Sequence, residues 1–255
     1  MKIVIIFIVI ILFSSAVSNS QNAIQIAKRL SNPLGYLSIP FQNNIDFNIE
    51  PNNGFKWTMN LMPIIPFAIN KNWNSLNRIV VPVISQTDIY KNTTQTGISD
   101  ILINAFLSPR GDGMVWGLGP AINIPSGFPE ELTTKKWGLG PNFIAMNSFG
   151  RLILGALVFH LWSAAGSDTR PEYSFTYFQP VSLYNFNGGW GIGLSAEMSN
   201  EWKKKVSTGA VIFQGSKLIN ISGQLINFVL GPKYYFGNFK KPEIGIRASV
   251  NFLFP

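Results

Sequence analysis

Two identical words decide the fold: Trp116-Gly117-Leu118-Gly119-Pro120 and Trp137-Gly138-Leu139-Gly140-Pro141. A shorter version, Trp190-Gly191-Ile192-Gly193, follows later in the chain. Glycine pairs of this kind bind phosphate when a helix comes next. Here the downstream residues are Ala121-Ile122-Asn123-Ile124-Pro125 and Asn142-Phe143-Ile144-Ala145-Met146, both better suited to strands. Read as strands, the words set Trp, Leu and Pro on one face and both glycines on the other. Glycine within a strand also marks bends and bulges, and that reading stands beside the first.

The same alternation runs through the chain. Phe41, Ile45, Phe47 and Ile49 oppose Gln42, Asn44, Asp46 and Asn48, while Phe55, Trp57, Met59 and Leu61 oppose Lys56, Thr58 and Asn60. Near the end, Ile244, Ile246, Val250 and Phe252 oppose Gly245, Arg247, Ser249 and Asn251. Alternation and turn residues together predict about twelve strands. They fall near 38–48, 54–68, 76–87, 97–108, 114–126, 136–147, 151–164, 172–185, 190–200, 203–213, 222–236 and 243–255. Turn chemistry separates them, as at Pro51-Asn52-Asn53-Gly54 and Asn187-Gly188-Gly189.

Composition says where such strands sit. Only 13% of the 255 residues are charged, against roughly 25% in soluble domains, so much of the surface is expected to face something other than water. The formal charge of +8 is scattered, with Lys203 to Lys205 the one basic run, which argues against nucleic acid as a partner. The apolar stretch Ile3 to Phe13 behind Lys2 fits a secretory signal peptide over 1–20 and is too short for a membrane-spanning helix. A segment at 21–37, including a helix-like Ile24 to Leu30, is expected in the periplasm or the barrel mouth.

A soluble barrel turns its apolar face inward, whereas a membrane barrel turns it to lipid and keeps polar groups inside. The oily faces here carry Trp, Phe, Leu and Ile, and the opposite faces carry Gly, Asn, Ser and single charges. Longer connections also alternate with shorter ones, as in bacterial barrels. The chain therefore reads as all-β: an antiparallel transmembrane β-barrel of about 12 strands over 38–255, in the outer membrane. Trp116 and Trp190 then belong to an aromatic girdle at the periplasmic side and Trp137 to the outer one.

Asn32-Pro33-Leu34, Ile39-Pro40-Phe41-Gln42-Asn43-Asn44, the two WGLGP words, Trp162-Ser163-Ala164-Ala165-Gly166 and the terminal Val250-Asn251-Phe252-Leu253-Phe254 resemble a family of Gram-negative outer-membrane β-barrels. Its members are labelled transporter, neuromedin-U-like or phenol-degradation MetA-pathway-like proteins. The resemblance spans nearly the whole mature chain and implies transport of small, in part aromatic, compounds. It also implies outer-membrane lipid and the barrel-assembly machinery as partners.

Parity places Lys56, Arg78, Lys233 and Arg247 in the lumen around Asp46, with Asp100 and Glu197 farther round. A charged constriction selects ions by sign, so the expectation is a channel for small solutes leaning toward anions. The alternative is a set of interior salt bridges that plugs a narrow barrel, with Phe106 and Phe178 pointing inward to help fill it. A hydrolase acting on lipids is the rival class. It would depend on His160, the single histidine, whose neighbours do not support catalysis: Ser163 lies on the opposite face and Asp168 in the following loop. A purely structural or adhesive surface protein is a third class, with outer loops too short for large binding surfaces. No cofactor is expected, and no metal cluster is legible beyond a loop pair, Glu130-Glu131, that could meet calcium.

Overall fold

The computed structural model describes residues 35–111, 113–238 and 241–254. The expected signal peptide at 1–20 and most of the segment at 21–37 lie outside the described residues. The strands are β1 (Leu37–Ile49), β2 (Gly54–Leu61), β3 (Ile64–Ala68), β4 (Trp73–Thr87), β5 (Thr94–Ile98), β6 (Ile101–Pro109) and β7 (Val115–Ile124). They continue as β8 (Lys136–Phe149), β9 (Leu152–Gly166), β10 (Ser174–Asn185), β11 (Trp190–Glu201), β12 (Val206–Ile221), β13 (Gln224–Gly237) and β14 (Ile244–Phe254). β2 and β3 are two halves of one wall strand, each pairing β1 and β4. β5 and β6 both pair β4 in the same way. The wall is thus twelve-stranded. β14 pairs back onto β1 from Leu37↔Phe254 to Phe47↔Ile244, which closes the sheet and leaves it without an edge.

The period-2 pattern dictates the faces. Leu118, Leu139, Leu194 and Leu230 point outward and are 51–60% exposed, whereas Asn44, Asn104, Asn142, Lys233 and Arg247 are buried inside. Water on the outside would invert that distribution, so the outer surface is built for lipid. Leu37 and Phe254 share one rim with the turns 69–72, 110–114, 150–151, 186–189 and 222–223. The other rim carries 50–53, 88–93, 125–135, 167–173, 202–205 and 238–243, on the whole longer. Short turns face the periplasm in bacterial barrels, which makes the second rim the outer one. Trp116 and Trp190 lie outward by the inner rim and Trp137 outward by the outer rim.

The two WGLGP words run side by side on β7 and β8, with Pro120 directly opposite Pro141. Each proline removes a ladder donor from the strand on its other side, and pairing lapses there: between Leu107↔Leu118 and Asn104↔Ala121 for Pro120, and between Leu139↔Trp162 and Asn142↔Phe159 for Pro141. The neighbouring carbonyl, without its donor, leans over the preceding glycine. A Cβ on Gly119 would sit 2.2 Å from the Ala105 oxygen, and one on Gly140 1.9 Å from that of His160. Gly231-Pro232 repeats the device against Phe213, at 2.0 Å. Register is conserved across all three lapses, so these are ladder breaks with no inserted residue. The one register shift near the words lies between Trp137 and Gly138.

Two expectations are corrected. β12 continues through Gln214-Gly215-Ser216 to Ile221, because Gly215 sits in register between Ile192 and Leu230, and the chain turns at Ser222-Gly223, both with positive φ. Phe106 points inward as expected, but Phe178 faces lipid at 40% exposure. The inner face of β10 carries Phe175, Tyr177 and Gln179 instead, and Tyr177 stacks on Phe159 with ring centroids 5.1 Å apart. Inside, Leu76, Phe106 and Leu157 meet as a buried apolar cluster that links β4, β6 and β9 across the lumen.

Candidate functional site

One row of inward positions crosses four adjoining strands: Lys233 on β13, Gly245 on β14, Asp46 on β1 and Lys56 on β2. Lys233 and Asp46 stand two strands apart, about 10 Å along the wall. Lys233 Nζ nevertheless donates to Asp46 Oδ1 at 3.2 Å, because Gly245 offers no side chain between them. A Cβ there would lie 2.5 Å from the same oxygen. The Tyr235 hydroxyl donates to Asp46 as well.

Arg247 lies two residues farther along β14. Its Nε donates to Asn44 Oδ1 at 2.8 Å, and its two terminal nitrogens donate to Glu197 Oε1 and Oε2 at 2.8 and 3.0 Å. Glu197 is on β11, three strands away or about 14 Å along the wall, so this two-pronged pair spans the curve of the lumen. Gln179 Nε2 also donates to Glu197, at 3.4 Å. Arg78 on β4 donates to Asn104 Oδ1 at 3.0 Å and approaches Met62 Sδ at 3.5 Å. In these contacts four cations stand with two carboxylates. The surplus is positive, and much of its charge is tied in paired contacts rather than spread as a bare basic wall.

Of the residues singled out in the sequence, Lys56, Arg78, Lys233, Arg247 and Asp46 lie inside, and Glu197 joins Arg247 rather than standing apart. Asp100 has another place. It accepts from Gly127 N at 3.2 Å, Thr134 N at 2.8 Å, Asn123 Nδ2 at 3.3 Å and the hydroxyls of Thr133 and Thr134, fastening the 125–135 loop to the start of β6. In that loop Glu130 is paired with Lys135 and Arg170. The hydrogen bond and charge of Lys135, with Arg170, hold its carboxyl below the usual glutamate range. Glu172 is held low in the same way by Lys203. Among the described residues no group of three His, Asp or Glu side chains is arranged to hold a metal ion.

Above the charged row, on the outer side, a cavity of about 300 Å³ opens among Phe175, Tyr177, Glu197, Thr208, Tyr235 and Lys241. Tyr173, beside β10, is pushed up to about 12 by burial and stays protonated. His160 lies on the outward face of β9, next to Trp162. Its Nδ1 is 2.7 Å from Thr176 Oγ1 and its Nε2 3.2 Å from Ser174 Oγ.

Sequence parity could place a residue inside but could not say whom it meets. Asn44, Gln179, Tyr177 and Tyr235 share the inward parity of the charges they touch; closure of β14 on β1 brings Asn44 and Tyr235 to theirs, and Gln179 meets Glu197 across the adjoining strands β10 and β11. Gly245 carried no chemical signal; its place opposite Asp46 is what makes it matter.

The crystal structure of an outer membrane channel from Pseudomonas putida F1 is similar to this fold, with a TM-score of 0.69 at 10% identity over 87% of this chain and 96% of that one. The NanC porin aligns over 86% of this chain and 99% of its own, at 10% identity and a TM-score of 0.48. The protein is an outer-membrane β-barrel. No protein-family model matches the sequence, and no curated protein matches it.

Proposed function

We propose that the barrel is a passive outer-membrane transporter or channel for small solutes, with anions preferred. The reading rests on one observation: Lys56, Arg78, Lys233 and Arg247, with Asp46 and Glu197 among them, line the lumen beneath the outer vestibule of about 300 Å³. A solute entering there meets aromatic walls at Phe175, Tyr177 and Tyr235, which suit a small ring, and then a net positive constriction. A channel role is in keeping with the fold shared with the Pseudomonas channel.

Conductance of the mature protein in planar bilayers tests this. A small, anion-preferring conductance is expected. Arg247→Ala should weaken that preference, and Glu197→Gln, which leaves Arg247 uncompensated, should strengthen it. Folded barrels that stay silent to ions and exclude small aromatic carboxylates from liposomes would rule out a luminal path.

A second reading, a lipid hydrolase, is favoured by the Ser174–His160 contact with Thr176 on the other ring nitrogen. The backbone N–H of Ser174 is already donated to Glu201, at 3.1 Å, and so does not serve a developing oxyanion. Fatty-acid release abolished by Ser174→Ala would establish this reading.

A further inference from the structure

Near the outer rim between β9 and β13 the lipid-facing wall carries a cluster of polar side chains. There the outward side chains of His160, Ser174 and Thr176 form a hydrogen-bonded row, closed by Trp202, whose Nε1 donates to Thr176 Oγ1 at 2.7 Å. Asn200 accepts from the Ser207 hydroxyl at 2.5 Å on the adjoining strands. Deeper in the membrane face, Gly209 leaves the wall flat and the Phe236 ring lies over it; a Cβ at 209 would come within 2.3 Å of that ring. Against the Phe236 ring lies a cavity of about 270 Å³ on the lipid-facing side, with an apolar body of Phe178, Met198 and Phe236 and a polar upper end at Thr176 and Trp202.

Directly above, the turn 202–205 exposes three consecutive lysines. Lys203 pairs with Glu172, and Glu201 accepts backbone N–H groups of Ser174 and Lys203. Lys204 and Lys205 have no acidic partner among the described residues. Cations at a membrane surface attract anionic headgroups, indole rings settle at the headgroup level, and polar groups on a lipid-facing strand need partners that hydrocarbon does not supply.

We propose that this corner is a binding site for one phosphorylated lipid of the outer leaflet. An acyl chain fills the cavity along Phe178, Met198 and Phe236. The headgroup lies against the Thr176–Trp202 row, and its phosphate meets Lys204 and Lys205. The site is outside the lumen and independent of the transport reading.

Native mass spectrometry of the whole mature barrel, released from detergent after titration with diphosphoryl lipid A, tests the proposal. One lipid A per barrel is expected to be retained, with retention falling about tenfold for Lys204→Ala/Lys205→Ala and also for Gly209→Leu, which drives the Phe236 ring into the cavity. Lys217→Ala, at the inner rim, should leave retention unchanged. Each variant's heat-resistant migration reports folding separately. Equal retention of dephosphorylated lipid A, or of phosphatidylglycerol, would overturn the assignment, as would lysine variants that bind like wild type. Release of fatty acid dependent on Ser174 would make the corner an enzyme and overturn it too.

Discussion

Two regions of this barrel use the same chemistry with different results. In the lumen, Arg247 and Glu197 are 6% and 22% exposed and grip each other with two hydrogen bonds. At the outer rim, Lys135 and Glu130 are 38% and 62% exposed. Burial separates them. An exposed pair is screened by water and salt and contributes little, whereas a luminal charge stripped of its partner stays in a region that solvates it poorly. The rim pairs shape loops, and the luminal pairs tie together strands two and three places apart in the wall.

The comparison can be broken most directly at Glu197. Glu197→Ala should destabilise the barrel by about 3–5 kcal/mol, since Arg247 remains buried and unpaired, read as a lowered urea midpoint in detergent. If this pair holds the walls only through its charges, Glu197→Leu/Arg247→Met should recover that loss almost fully. A double variant as unstable as the single would show that packing, not charge, fixes the contact.

Asp100 lies between the two regimes, buried yet serving a loop. Asp100→Ala should cost about 2 kcal/mol through lost charge-assisted hydrogen bonds and open the 125–135 loop to protease while leaving the barrel intact. Gly140→Ala, which presses a methyl group on the His160 carbonyl, should cost about 1–3 kcal/mol; its counterpart Gly150→Ala, in an open inner turn with φ +63, meets no neighbour and tests backbone strain alone.

The smallest effect belongs to Glu130. Its carboxyl is held below the ordinary glutamate range, so whatever it contributes is present above that range and is lost as pH falls through the lowered value. Glu130→Gln should not move the unfolding midpoint between pH 5 and 8. Below about pH 4, wild type should come to match the variant in protease cutting of the loop. A clear midpoint shift at neutral pH would erase the contrast between rim and lumen.

Much of the wall was legible from the chain. Alternation such as Ile244-Gly245-Ile246-Arg247 identifies a strand and the faces of its residues, because a pleat turns successive side chains to opposite sides. The expected strand 203–213 falls short of β12, in which Gly215 sits in an ordinary ladder position. Phe178, expected in the lumen, faces lipid because Phe175, Tyr177 and Gln179 hold the inward parity of β10. The luminal contacts were less legible still. Asp46 and Lys233 are 187 residues apart, and no local pattern links them.

The sequence by itself determined the oily outer face and the polar inner one and pointed to about twelve crossings, since these follow from a period of two and from the scarcity of charge. Only closure decided which inner residues meet. Pairing of β14 with β1 brings Gly245 between Asp46 and Lys233, and the bend of the wall through β11 to β14 carries Glu197 to Arg247. A one-residue slip of β1 against β14 would turn Asp46 and Asn44 to the lipid face and leave Lys233 and Arg247 without them. The chemistry of the lumen is therefore a property of the closed ring and of no single strand.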